Sequence, residues 1–188
     1  MNAKIVVIGA SAGGLKAILT LLKELGTDFP LPVVITQHIG NQSSGYLEEY
    51  LTRETGFQVK EAEDKESVVP GHVYVAPPNY HLLLEDDYTL SLSVEGKVNF
   101  SRPSIDVMFE SAALAYGKGV IGIILTGANN DGSKGLKAII EWGGKAIVQD
   151  PKTAEVDAMP LASIQLVPNA MILSLKDIAK ELKNSVVD

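Results

Sequence analysis

Three polar side chains stand where an apolar segment gives way to a turn: Ser11, His38 and Asp131. Their types suit acyl transfer. A serine hydroxyl is a weak nucleophile until a neighbouring base takes its proton. An imidazole titrates close to neutrality, so it can accept that proton and hand it on. A carboxylate on the other ring nitrogen would orient the imidazole and stabilise its charged form. The catalytic reading therefore has Ser11 as nucleophile, His38 as base and Asp131 as orienting acid. Plainer readings stand beside it. Ser11 could serve as a small helix cap, His38 as a satisfied histidine at a strand end, and Asp131 as the N-cap of the helix that follows it.

The elements that must position these residues alternate along the chain. The apolar run 4–8 predicts a strand buried on both faces, and it ends in Gly9-Ala10-Ser11-Ala12-Gly13-Gly14. Leu15, Ile18, Leu22 and Leu25 then recur at helical spacing, with Gly26 as the stop. Residues 32–39 predict a second buried strand, 44–55 a helix and 57–62 a short strand. From 71 to 100 the pattern changes to short alternating segments, with Asp86-Asp87 and Glu95-Gly96 as turns, which predicts a β-hairpin insertion. Helices are expected over 104–116, 136–142, 158–166 and 175–182, and buried strands over 120–125 and 145–149. Such alternation implies an α/β fold of the doubly wound kind, a mostly parallel sheet with helices on both faces. In these sheets functional groups gather at the carboxyl ends of the strands, where all three polar residues fall. A tight glycine-rich turn would hold Ser11 clear of the sheet with helix N-terminal N–H groups nearby, which are donors suited to an oxyanion.

Composition narrows the partners. Residues 1–188 read as one domain with an ordinary globular share of hydrophobic side chains, 46%, so disorder is not expected. A net charge of -7 disfavours phosphate backbones and anionic membranes as partners. The chain has no cysteine, which removes disulfides, thiolate metal sites and a cysteine nucleophile. Three scattered histidines offer no metal spacing, and no metal or other cofactor is expected. No apolar run is long enough to span a membrane, and the N-terminal one is too short for a signal peptide. The acidic cluster 61–66 reads as a solvated face. A nucleotide-binding, Rossmann-like protein is the main rival, because a strand, a glycine-rich turn and a helix open that fold. Against it, Ser11 stands where the middle glycine of Gly-x-Gly-x-x-Gly would approach a pyrophosphate. The second strand also ends in Gln37-His38 rather than in an acid for the ribose.

Several stretches together resemble the catalytic domain of the CheB family, the chemotaxis protein-glutamate methylesterases. They are Ile8-Gly9-Ala10-Ser11-Ala12-Gly13-Gly14, Gln37-His38, Val75-Ala76-Pro77-Pro78 through His81, and Arg102-Pro103-Ser104-Ile105-Asp106-Val107-Met108-Phe109 with Ser111-Ala112-Ala113. Leu125-Thr126-Gly127 with Asn130-Asp131-Gly132, and Gln149-Asp150-Pro151 through Met159-Pro160, complete the set. The resemblance implies a modified doubly wound fold and a serine hydrolase that cleaves glutamate γ-methyl esters on chemoreceptors, with receptor glutamine deamidation as a companion activity. It lays Ser11, His38 and Asp131 on the nucleophile, base and acid. It implies backbone donors at Ala12 and Ala128 for the oxyanion, and substrate contacts at His81, Gly127 and Asn130. The implied partners are the cytoplasmic helices of methyl-accepting chemoreceptors, and the implied location is the cytoplasm.

The chain departs from the family pattern at four places. Ala12 replaces a Thr, Ala128 a Met, and Asn129 a Gly. After Gln37-His38, Ile39-Gly40, Ser43-Ser44 and Tyr50 stand where Met-Pro, Phe-Thr and Arg are usual. Those losses leave open a non-catalytic partner protein that keeps the fold. The family's receiver domain has no counterpart ahead of the first strand, so any control is expected in trans, through a separate receiver protein or through substrate availability. Segments 61–66 and 40–45 are the expected docking surfaces for such a partner.

Overall fold

The computed structural model describes residues 3–38 and 46–187. Positions 39 and 44–45 of the expected second strand and helix lie outside the described residues. The expected strands and helices form with shifts at their ends, the last helix running five residues further than expected, to 187. They run β1 (Ile5–Ala10), α1 (Gly14–Leu25), β2 (Val33–Gln37), α2 (Tyr46–Thr55), β3 (Gln58–Glu61), β4 (His72–Val75), β5 (His81–Leu84) and β6 (Leu90–Ser93). Then come α3 (Ile105–Tyr116), β7 (Val120–Ile124), α4 (Ser133–Glu141), β8 (Lys145–Gln149), α5 (Ala158–Leu166), β9 (Met171–Leu173) and α6 (Leu175–Val187).

Seven strands form one sheet in the order β3-β4-β2-β1-β7-β8-β9, and every pairing in it is parallel. The central strands β1, β2 and β7 are buried along their whole length, which is why they read as unbroken apolar runs. Alternate β1 side chains serve two cores. Val6, Ile8 and Ala10 pack with α1, α2 and α6, through residues such as Leu22, Leu51 and Leu182. Ile5 and Val7 face the opposite layer, where Met108 and Phe109 of α3 meet Leu136 and Ile139 of α4. The β5–β6 hairpin lies in that second layer and buries Leu82, Leu84 and Leu90. The doubly wound sheet and the hairpin insertion thus match the sequence reading.

Two details of that reading change. The alternating residues of segment 72–77 predict a place in the insertion, but β4 belongs to the main sheet, between β3 and β2. Val73 and Val75 fill one core while Tyr74 fills the other, so an alternating pattern here marks two buried faces. Strand β9 was not expected; three residues at a sheet edge exist as a strand only because β8 offers them a parallel partner. The acidic cluster is the expected solvated face, with residues 63–65 exposed, and it also carries local ties. Lys60 Nζ bonds Glu63 at 3.0 Å and Glu66 at 2.8 Å, and Asp64 accepts the Leu92 N–H at 3.0 Å, tying the segment to the hairpin. No helix among the described residues is long and apolar enough to cross a membrane.

The chain winds outward from β1 through β2 to β3 and β4, then returns to the other side of β1 with β7. Strand order therefore reverses between β1 and β7, the place where such sheets open a crevice at their carboxyl ends. Ser11 follows β1 and Asp131 follows β7. Behind that crevice α3 and α4 touch at Gly135. A Cβ there would lie 2.5 Å from Phe109 Cβ and 2.9 Å from the Asp106 carbonyl oxygen. Alanine is the better helix former by about 1 kcal/mol, yet here it collides with backbone. Gly135→Ala should therefore lower stability by about 1–3 kcal/mol, read as a drop in the denaturant midpoint. An unchanged or raised midpoint would contradict this packing.

Candidate active site

The turn after β1 is shaped by close contacts. Gly13 caps α1 in the left-handed region at φ 76°, and a Cβ on it would meet Glu155 Cβ at 2.7 Å. A Cβ on Gly14 would collide with Gln37 Oε1. The turn is then tied from both neighbouring strands. Ser11 N–H donates to Thr126 O at 3.0 Å, and Thr126 Oγ1 donates to Ala12 O at 2.9 Å. Gln37 Nε2 donates to Ser11 O at 2.8 Å and to His38 O at 2.9 Å, coupling the serine turn to the end of β2. Ser11 is half-buried, and its Oγ makes no hydrogen bond among the described residues.

His38 and Asp131 meet. Their Nε2 and Oδ2 atoms lie 2.8 Å apart, with Asp131 fully buried and 13% of the His38 side chain exposed. The other nitrogen, Nδ1, points at Asn129 Nδ2 at 3.4 Å. Asp131 is also a cap, though not of the helix that follows it, whose N-cap is Gly132. Its carboxylate instead accepts the first N–H groups of α3, from Ile105 at 2.7 Å and Asp106 at 3.2 Å. Ser104 Oγ at 2.8 Å and Asn99 Nδ2 at 2.9 Å complete five donors. Burial pushes the Asp131 carboxyl up, but the bonds from His38, Asn99, Ile105 and Ser104 outweigh it and hold the group down at about 2.

A second buried carboxylate lies alongside. Asp106 accepts Gly135 N–H at 2.8 Å, at the start of α4, and Asn99 Nδ2 at 2.8 Å. Asp131, two residues before α4, thus caps α3, while Asp106 in the first turn of α3 caps α4. Burial raises the Asp106 carboxyl, the Asp131 charge adds to that, and the bonds from Gly135 and Asn99 only partly oppose it. Asn99 spans both acids from a left-handed turn at φ 49°. The sequence reading saw Ser104 and Asp106 only as a helix start and missed Asn99 and Asn129. No periodicity marks them, since they act through loops.

The remaining expected site residues divide. Ala12 and Ala128 are exposed, and their N–H groups make no hydrogen bond among the described residues. Gly127 lies against the Ser11 turn, where a Cβ would be 3.0 Å from Ser11 Cβ. Asn130 is exposed and lines a cavity of about 350 Å³ with Asn99, Asp106 and Lys134. His81 is a correction, because it is turned inward and only 2% exposed. Its Nδ1 accepts Ser104 N–H at 3.2 Å and its Nε2 pairs with Gly96 O at 3.0 Å, leaving no ring nitrogen for substrate. Its site in the fold is the approach to α3. The proposed docking segment 40–45 lies outside the described residues.

Comparison with known proteins bears on this geometry. The family model of the CheB methylesterase matches residues 6–182. The chain belongs to the CheB methylesterase family. A Leptospira interrogans relative, provisionally named protein-glutamate methylesterase/protein-glutamine glutaminase, is 53% identical over 96% of this chain and 93% of its own length. A Nitrosomonas europaea protein-glutamate methylesterase/protein-glutamine glutaminase is 40% identical over 95% of this chain, which spans 51% of that relative. The crystal structure of the Thermotoga maritima CheB methylesterase catalytic domain superposes with a TM-score of 0.93 at 35% identity, covering 98% of this chain and 99% of that one. The nucleotide-binding alternative finds no support in this CheB fold.

The doubled role of Asp131 makes a prediction for the CheB site. A carboxyl lowered in the folded state stabilises the fold above its ordinary value of 3.8, and that stability disappears as pH falls through about 2. The shift corresponds to about 2 kcal/mol. Asp131→Asn should therefore cost about 2 kcal/mol near neutral pH, and its deficit against wild type should shrink between pH 3.8 and about 2. Ester turnover should fall at least ~100-fold, because the imidazole loses its orienting partner. Denaturant titrations across pH, alongside turnover, check both. A deficit that stays constant across that range would show that the carboxylate charge is not what caps α3.

Proposed function

We propose that this chain hydrolyses glutamate γ-methyl esters on the cytoplasmic helices of methyl-accepting chemoreceptors, releasing methanol. The observation that carries this reading is the 2.8 Å His38–Asp131 pair held at the switch point beside the Ser11 turn. Family membership supplies the substrate class, and the relatives named for both activities support it. Ser11 Oγ attacks the ester carbonyl as His38 Nδ1 takes the hydroxyl proton. His38 Nε2–H donates to Asp131 Oδ2 throughout, so the growing imidazolium charge faces a carboxylate that stays ionised. The carbonyl oxygen becomes an oxyanion, and the backbone N–H groups of Ala12 and Ala128 are its donors. Collapse expels methoxide, which takes the proton from His38 and leaves as methanol, with Ser11 now joined to a γ-glutamyl ester. Water, deprotonated by His38, attacks that ester and restores Ser11 with a free glutamate. The same steps on a glutamine side chain expel ammonia and give the same acyl-enzyme.

Loss of Thr and Met side chains at Ala12 and Ala128 does not remove this chemistry, because each position contributes a backbone N–H. That favours an active hydrolase over a non-catalytic partner. Ser11→Ala should leave the fold intact and lower methanol release from methylated receptor membranes by at least ~1,000-fold. Release near the wild-type rate from a folded Ser11→Ala protein would overturn the mechanism.

A further inference from the structure

His38 Nδ1 is the atom that must take the Ser11 proton, because Nε2 is committed to Asp131. In this structure Nδ1 faces a different group, the side-chain amide of Asn129, at 3.4 Å. The orientation of that amide is fixed by its other end. Asn129 Oδ1 accepts the Asp131 N–H at 3.1 Å, so the NH2 group is the end presented to the ring. An amide NH2 can only donate. It therefore engages the lone pair of a neutral imidazole and opposes an N–H on an imidazolium. Ser11 Oγ makes no hydrogen bond among the described residues, although its turn packs against Gly127, two positions before Asn129 in the chain, where a Cβ would lie 3.0 Å from Ser11 Cβ.

We infer that Asn129 restrains the base: its amide holds the His38 Nδ1 lone pair in the resting site and must yield it to Ser11 before attack. The inference rests on His38 being the base of the esterase proposed above. Two consequences follow from the donor-only character of the amide. In the resting enzyme it selects the tautomer with the proton on Nε2, the one the reaction needs. During attack it competes with the serine hydroxyl for the same lone pair and destabilises the imidazolium that forms. The net effect is a brake on acylation, because Asp131 and its five donors already fix the tautomer.

The test is the rate constant for phosphonylation of Ser11 by a fluorophosphonate probe near neutral pH, with the modified residue located by mass spectrometry. Two variants separate a brake from a structural support. Asn129→Ala removes the donor, and labelling should quicken by about two- to tenfold, the worth of one neutral hydrogen bond. Asn129→Asp keeps the acceptor for the Asp131 N–H and the side-chain shape, but turns a carboxylate oxygen to Nδ1. That oxygen holds a proton on the nitrogen that should be free, so labelling should be slower than wild type. The expected order is Ala variant, wild type, Asp variant. An Ala variant no faster than wild type, or an Asp variant at least as fast as wild type, overturns the inference while Ser11 labelling of wild type keeps the esterase reading. Failure of wild type to label at Ser11 overturns both.

Discussion

The arrangement depends on one buried charge. Asp131 is fully excluded from solvent, and an isolated carboxylate in that position would be strongly disfavoured. Five donors hold it ionised, and they come from separate parts of the chain: the end of β2, the turn at Asn99, and the cap and first turn of α3. Each hydrogen bond to a charged group contributes about 1.5–3 kcal/mol, and the partial positive charge at the N-terminus of α3 adds to them. The carboxylate that orients the imidazole is thus also what joins α3 to the carboxyl end of the sheet. Structural and chemical roles cannot be separated at this position, because they use the same lone pairs.

The neighbouring acid shows the limit of that device. Asp106 caps α4 as Asp131 caps α3, so each helix start is tied to the segment opening the other. Two ionised carboxylates close together in a buried site repel. Asn99 relieves part of the repulsion by donating to both, yet Asp106 is still held above its ordinary range while Asp131 is held below it. The difference lies in the donors: Asp131 has five, among them the imidazole, whereas Asp106 has fewer. The acid paired with His38 is the one kept negative.

On the serine side the sheet does the positioning with backbone and amide groups. Gln37 links the turn to β2 and Thr126 links it to β7, so Ser11 is placed by the two strands that flank β1. Substitutions at Ala12 and Ala128 leave these ties untouched, because the groups used are carbonyls, N–H donors and the side chains of Gln37 and Thr126. Asn129 is different, since its side chain reaches His38 directly.

Much of this was legible in the residues. Unbroken apolar runs at β1, β2 and β7 reveal strands buried on both faces, and the helical stripe from Leu15 to Leu25 reveals the layer that covers them, because burial imposes those patterns locally. The positions of Ser11, His38 and Asp131 at strand ends follow from the same patterns. What the residues alone could not decide was which groups meet across loops. Whether β4 pairs in the hairpin or the sheet, whether Asp131 caps its own helix or a distant one, and whether His81 faces substrate or the chain all depend on contacts between segments far apart in sequence. Hydrogen bonds of that kind leave no period in a sequence. They are set by the sheet order and the approach of α3 to α4, so only the tertiary structure decided that the Asn129 amide faces His38 and that one carboxylate serves both the helix and the histidine.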